Sequence, residues 1–374
     1  MNNDKIKICI VGCGNCAASI LMGLQYYKNV KETDEHIPGL MHNSINGYLP
    51  SNIKCILAYD IDARKVGLHL NKAIFELPNN TKIIYPESVF DSKDYPIVKM
   101  GKILDGFSPH LLDYDERYRI VPSKEREPTK EDEIRTLKES KVEILISYLP
   151  VGSQLATEFY VDCCLEAGVA LINCIPVFVA SDPEWANKFK EKGIPVLGDD
   201  VKSQLGATII HRNLAQLFKD RGVKLDRTYQ LNCAGNLDFM NMLNRERLKS
   251  KKISKTEAVQ SILSIPLEEE NIHIGPSDYV PWLQDNKICY LRMEGRIFGN
   301  IPINLELRLS VEDSPNSAGV VLDCIRIIKI GLDRHIGGHL LGPSAFYFKH
   351  PPVQYPDHIA KKMVEDFINE IRDK

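Results

Sequence analysis

The chain has 374 residues, 47 Lys and Arg against 50 Asp and Glu, and 44% hydrophobic residues. That length supports about two domains with a full apolar core and no covalent staples, and the balanced charge offers no overall field to nucleic acid or an anionic membrane. The opening MNNDKIKICIVGCG has neither the apolar core nor the cleavage site of a signal peptide, and no apolar run is long enough to span a bilayer, so a cytoplasmic protein is expected.

Lys7–Val11 is almost wholly apolar, as a strand covered on both faces reads. Gly12-Cys13-Gly14-Asn15-Cys16-Ala17 follows, then a helical pattern in Ile20, Leu21, Leu24 and Tyr27. Strand, glycine turn and helix in that order form a dinucleotide site, in which glycines admit the pyrophosphate and the helix amino terminus faces its charge. A chance glycine turn would look the same. Cys13 and Cys16 form a C-x-x-C without a second pair, which argues against a zinc or redox site, and most other cysteines sit in apolar surroundings as small hydrophobes. Lys54–Tyr59 is a second strand ending at Asp60, where an acidic residue would hold an adenosine ribose and favour NAD, and a helix is expected from Ala63. Asp60 lies far beyond the usual spacing of about 20 residues, so residues 29–52 read as an insertion; Asp60 also reads as a helix N-cap.

Residues 76–135 read as a long excursion over the NAD site. Regular alternation returns with a strand at Val142–Leu149, a helix to Ala167, a strand at Val169–Cys174, a helix at Pro183–Lys192 and a strand at Ile194–Leu197. Strands each followed by a helix predict a parallel, doubly wound sheet. Ser203 is a candidate N-cap for a helix running to about Asp220, where free amides would suit a phosphate ester. Thr228–Leu231, Ile288–Arg296 and Ile303–Glu312 then read as strands joined without helices, a mostly antiparallel unit whose long apolar strands suit a subunit interface. Helices from Asp313 to Asp333 and Ile359 to Ile371 close the chain. The fold class is therefore α/β: a doubly wound NAD-binding Rossmann domain over 1–203, an α+β catalytic and oligomerisation domain over 204–312, and helices of 313–374 returning to the first domain.

Asn232, Gly235, Asn236 and Asp238 fall where a strand should give way to a loop, the usual seat of chemistry in α/β enzymes. Lys251 and Lys255, four apart, project from one face if that segment is helical. A solvated basic face fits the same residues.

Read in order, VGCGNCA, PGLMH, AYDID, SYLPVGS, GDDVKSQ, GNLDF, SKKISK, EDSPNSAG and the Lys349 region resemble the myo-inositol-1-phosphate synthases, in their shorter archaeal and bacterial branch, over about Lys5–Pro352. The resemblance implies NAD-dependent, redox-neutral cyclisation of D-glucose 6-phosphate to inositol 1-phosphate by a homotetramer. It implies catalytic roles for Lys251, Lys255, Lys287, Lys349, Asp238 and Asp313. Lys251 and Lys349 would serve C5 oxidation, Lys287 would polarise the C1 carbonyl, Asp313 would orient a lysine, and Lys255 with Ser203 would bind phosphate. The cofactor would meet Gly12, Gly14, Asn15, Cys16, Asp60, Ser147, Tyr148, Asp200, Ser203, Asp238 and Lys251. A divalent metal is possible, although no His, Asp and Glu spacing supports one. Larger members carry Ser-Gly-Gln-Thr where this chain has Ser203-Gln204-Leu205-Gly206. On the residues alone Lys287 also reads as an exposed turn lysine, Asp313 as a helix cap and Lys349 as a surface charge. A net NAD-linked dehydrogenase and a catalytically silent NAD-binding regulator stay open as other readings.

Overall fold

The structure is a computed structural model that describes residues 5–371. Its first half builds β1 (Ile6–Val11), α1 (Asn15–Tyr26), β2 (Ile53–Asp60), α2 (Leu70–Ala73), β3 (Lys99–Met100), α3 (Lys130–Ser140), β4 (Ile144–Ser147), α4 (Gln154–Ala167), β5 (Ala170–Asn173), α5 (Pro183–Glu191) and β6 (Pro195–Leu197). The apolar runs of β1, β4, β5 and β6 are buried almost throughout because helices cover both faces. The second half adds α6 (Ala207–Asp220), β7 (Lys224–Ala234), α7 (Leu237–Asn241), α8 (Lys249–Gln260), β8 (Ile272–Tyr279), β9 (Asn286–Arg296) and β10 (Pro302–Glu312). The chain ends with α9 (Asp313–Asp333), β11 (Gly338–His339), α10 (Leu341–Tyr347) and α11 (Asp357–Ile368).

The first sheet has seven parallel strands in the order β11-β6-β5-β4-β1-β2-β3. Its connections run outward in both directions from the β1/β4 boundary, and the crevice of a doubly wound sheet opens at the carboxyl ends of such a pair. Gly12 follows β1 there with φ +95°, and a Cβ on it would stand 2.6 Å from the Tyr148 carbonyl oxygen just beyond β4. Only glycine fits that approach without strain.

The second sheet, β10-β9-β7-β8, is antiparallel except for the β7/β8 pair. α6, α8 and the turn after α8 cover one face through Ala215, Phe218, Val259 and Ile262, packed on Ile274, Leu291 and Met293. The other face leaves Tyr229, Leu231 and Tyr290 exposed. α9 begins beside this sheet, then packs on α1 and against β4, β5 and β6 of the first. Residues 29–52 are pinned onto α9: buried Arg326 donates to the carbonyls of His42 and Asn43, and His42 Nδ1 lies 2.6 Å from Asp323.

Several expectations are corrected. No helix starts at Ala63. Asp62 accepts from the Arg64 amide and the Val121 amide, and Ala63 N donates to Val121 O, so the chain turns onto a bridge with Pro122. Asp60 therefore caps no helix. Ser203 is not the N-cap of α6, which starts at Ala207 with Gly206 as cap. Residues 204 and 205 instead bond to Asn316, through Gln204 N to Asn316 O at 2.9 Å and Leu205 N to Asn316 Oδ1 at 3.0 Å. The excursion set at 76–135 stops short of its expected end, because α3 starts at Lys130 behind a Thr129 cap. β8, with Gly275 and Pro276 in its run, was not expected.

Gly12→Ala should destabilise the protein by about 1–3 kcal/mol, read as a lower denaturant midpoint at unchanged slope. An unchanged midpoint would contradict the contact with Tyr148.

Candidate active site

One cavity starts at the glycine turn and ends among lysines. Its walls include Gly12, Gly14, Asn15 and Cys16 at one end, Tyr148, Asp200 and Ser203 between, and Lys251, Lys255, Lys287 and Lys349 at the other. A Cβ on Gly14 would meet nothing within 4 Å, and Gly14 caps α1 without a side-chain bond. An open backbone cradle at the free amino end of a helix suits a pyrophosphate. The carboxylate of Asp60 is directed at backbone, accepting from Cys13 N at 2.8 Å, Ile61 N at 2.7 Å and Asp62 N at 2.8 Å. An ionised carboxylate has about four acceptor sites, so room for one ribose hydroxyl remains. The residues present thus fit a dinucleotide.

The lysines come from three places. Residues 251 and 255 lie one helical turn apart on α8, Lys287 is the second residue of β9, and Lys349 follows α10. Lys251 Nζ lies 2.6 Å from Asp238 Oδ2, on α7, and Lys349 Nζ lies 2.8 Å from Asp200 Oδ1, which follows β6. Lys287 pairs with Asp313 at the start of α9. Asp200 also accepts from Ser254 Oγ at 2.7 Å, and it holds φ +61° between backbone bonds to Ile175 and Lys349. A non-glycine residue in that region persists only where its surroundings fix it. Lys255 forms no ion pair with any of the described residues, although it is 8% exposed.

Burial and crowding set the charges. For Lys255 the loss of water, followed by Lys251, Lys349 and Lys287, pulls the amine down to about 7, so part of it is neutral near pH 7. Burial also opposes the charge of Lys251, but Asp238 and Asp200 outweigh it and raise the group above its ordinary value. Burial favours the neutral acids of Asp200 and Asp313, yet the facing lysines, Lys349 and Lys287 respectively, hold both below the usual carboxylate range. The result is three paired ammonium groups and one unpaired amine around one space.

Of the expected site residues, only Ser147 is off the cavity wall; it is buried at the end of β4, and its Oγ has no hydrogen-bond partner among the described residues. Ser203 lines the cavity beside the free first turn of α6, residues 206–209. Two supports went unread in the sequence. Buried Arg212 donates to Ala258 O at 2.6 Å, Gln354 Oε1 at 2.9 Å and Tyr355 O at 2.8 Å, while Gln354 donates to Lys349 O, so it joins α8 to the Lys349 segment. Asp285 was passed over beside Lys287; it is fully buried among five donors.

The family model for myo-inositol-1-phosphate synthase matches residues 206–314, a span that holds Lys251, Lys255, Lys287 and Asp313. The chain is 51% identical over 369 residues to an inositol-3-phosphate synthase of Mycobacterium tuberculosis, covering 98% of this chain and 96% of that one. The chain belongs to the myo-inositol-1-phosphate synthase family. Another family member, from Mycolicibacterium smegmatis, is 50% identical over 97% of this chain and 98% of its own. A synthase-related protein from Thermotoga maritima shares the fold, with TM-score 0.80 at 23% identity over 98% of each chain.

In this family member, Gln204 has its own use: its side chain donates to Gly39 O at 3.0 Å and packs where a Cβ on Gly319 would stand. Among the described residues no group of three or more His, Cys, Asp or Glu side chains could hold a metal ion.

The depressed value at Lys255 fixes a stability test. Below about pH 7 the folded protein must bury an unpaired charge, whereas the unfolded chain keeps its lysine protonated up to an ordinary value near 10.5. That cost shrinks as pH rises from 7 towards 10.5, since the unfolded state then binds more protons. Lys255→Met should therefore be more stable than the parent below pH 7, with the gain fading by pH 10 in paired denaturant titrations; a pH-independent difference would refute the assignment.

Proposed function

We propose that this enzyme converts D-glucose 6-phosphate to 1L-myo-inositol 1-phosphate with catalytic NAD, in inositol and phospholipid biosynthesis. The observation that carries the reading is the single cavity joining a dinucleotide cradle to four lysines, three paired and one free. Bound NAD would accept a hydride from C5 and later return it.

The chain's own groups account for the remaining charge and proton changes. The phosphate dianion belongs at the first turn of α6, beside Ser203, with Lys255 as its cation. Binding the dianion restores the proton to Lys255, since an adjacent opposite charge favours the ammonium form. Lys251 and Lys349 face the C5 hydroxyl as ammonium groups that stabilise the charge developing on its oxygen, and the carboxylate of a paired aspartate, Asp238 or Asp200, takes up the proton. A C5 ketone acidifies C6, whose proton leaves to a base, and the enolate carbon forms a bond to C1. The Lys287 ammonium, aligned by Asp313, polarises the C1 carbonyl and gives a proton to the oxygen that develops there. Protons leave the C5 hydroxyl and C6 and return to the C1 and C5 oxygens, so the enzyme ends as it began. Asp60, Asp200 and Asp238 border the cofactor.

We also propose a cytoplasmic homotetramer. The ten cysteines are free, as suits a reducing compartment, and no helix among the described residues is long and apolar enough to cross a membrane. The exposed Tyr229, Leu231 and Tyr290 face supplies an apolar contact surface. Sedimentation should give four subunits, and Leu231→Glu with Tyr290→Glu should lower that number.

Incubation with glucose 6-phosphate and NAD should yield inositol phosphate without net NADH. Net NADH would point instead to an ordinary dehydrogenase, and NAD binding without conversion to a regulator. Lys251→Ala should lower turnover by about 10²–10⁴-fold while NAD affinity in calorimetry stays within a few-fold; retained turnover would sink the lysine mechanism.

A further inference from the structure

We infer that Asp285 is a positioning residue whose carboxylate couples cofactor seating at the glycine turn to the two aspartate-lysine pairs at Asp238 and Asp313. The inference rests on the NAD-dependent reading above. Asp285 is fully buried, and no lysine, arginine or histidine among the described residues lies within ion-pair distance of it. Its charge is held by hydrogen bonds alone. Oδ1 accepts from Asn15 Nδ2 at 3.2 Å, Asn236 Nδ2 at 3.0 Å and Ser314 Oγ at 2.9 Å; Oδ2 accepts from Thr81 Oγ1 at 2.7 Å and Ser314 N at 3.1 Å.

That inventory favours the ionised form. A protonated carboxyl group needs an acceptor for its own hydrogen; the Asn15 and Asn236 amide nitrogens and the Ser314 backbone nitrogen can only donate, and only an ionised group accepts from these three and from the Thr81 and Ser314 hydroxyls at once. Burial, together with the like charge of Asp313, raises the group above its ordinary value, while Thr81, Asn236 and Ser314 oppose the shift. All five donors can give their hydrogens to Asp285 together when it is an anion.

The donors belong to four separate segments, each bearing on the site. Asn15 is the first residue of α1, beside the cradle, and its Oδ1 also accepts from the Asn80 and Thr81 amides. Asn79 and Asn80 extend the contact, the first to Cys13 O in the glycine turn and the second to Gly235 O. Asn236 caps α7, accepting from Phe239 N, and α7 carries Asp238 towards Lys251. On the last side, the Asp285 carbonyl accepts from Asp313 N at 3.0 Å, which fixes the partner of Lys287. A ligand that moves Asn15 must therefore shift this anion or the donors around it, and the supports of two lysine pairs move together.

Coupling of this kind is reciprocal, so it is measured as a linkage. NAD affinity would be determined by calorimetry on the full chain, with and without glucitol 6-phosphate, which carries an alcohol at C1 and cannot close the ring. In the parent, the analogue should tighten NAD binding by about 5-fold or more. In Asp285→Asn the amide nitrogen would face a donor, and the factor should fall towards 1, with kcat reduced more than KM for glucose 6-phosphate is raised. Thr81→Val, which removes one donor and leaves the carboxylate, should reduce the same factor partway and decides the matter if Asp285→Asn does not fold. An unchanged factor in the folded variants, or no linkage in the parent, overturns the inference. Loss of inositol phosphate production by the parent would overturn the functional reading instead, since that assay does not depend on linkage.

Discussion

A lysine ammonium taken out of water is tolerable only beside an anion, and most of this molecule's architecture follows from meeting that requirement four times in one cavity. Three of the anions are supplied by the chain, Asp238, Asp313 and Asp200, each from a different element. The fourth is withheld. Leaving Lys255 unpaired costs stability in the empty enzyme, and the proposed phosphate dianion would supply the missing partner. The chain alone thus leaves one buried amine of the site without a counter-charge among the described residues.

Bringing those groups together takes both sheets. The first provides the carboxyl ends of β1 and β4 and the Asp200 turn; the second provides α8 and the start of β9. α9 joins the two by starting at the Lys287 pair and packing along α1. Arg212 and Asp285 do comparable work from within, one by binding carbonyls and the other by gathering donors.

The fold was legible wherever local pattern and burial agree. β1, β4, β5 and β6 read as apolar runs because both their faces are covered, and the helices between them read by period. β8 was hidden by Gly275 and Pro276, which look like a turn but sit in an edge strand paired to β7 alone. Ser203 has the right chemistry for a cap, yet the backbone that follows it bonds to Asn316, more than a hundred positions away. Family motifs located the lysines, but nothing local could show that three are paired and one is not. Asp285 was unreadable for the same reason: Asn15, Thr81, Asn236 and Ser314 become neighbours only after folding, and a single Asp beside Lys287 carries no trace of them.

The outermost strand of the seven-stranded sheet, β11, and the long helix against its middle both come from the last sixty-odd residues. On the ribosome, the half with the seven-stranded sheet is begun first, yet the strand that covers its β6 edge and one covering helix arrive only after the whole second sheet has been synthesised. Such late, long-range closure is slow and leaves apolar strand edges open in the meantime. For this enzyme, the exposure to chaperones and the hazard of nascent-chain aggregation fall on the half that looks most regular, and they last until translation is nearly over.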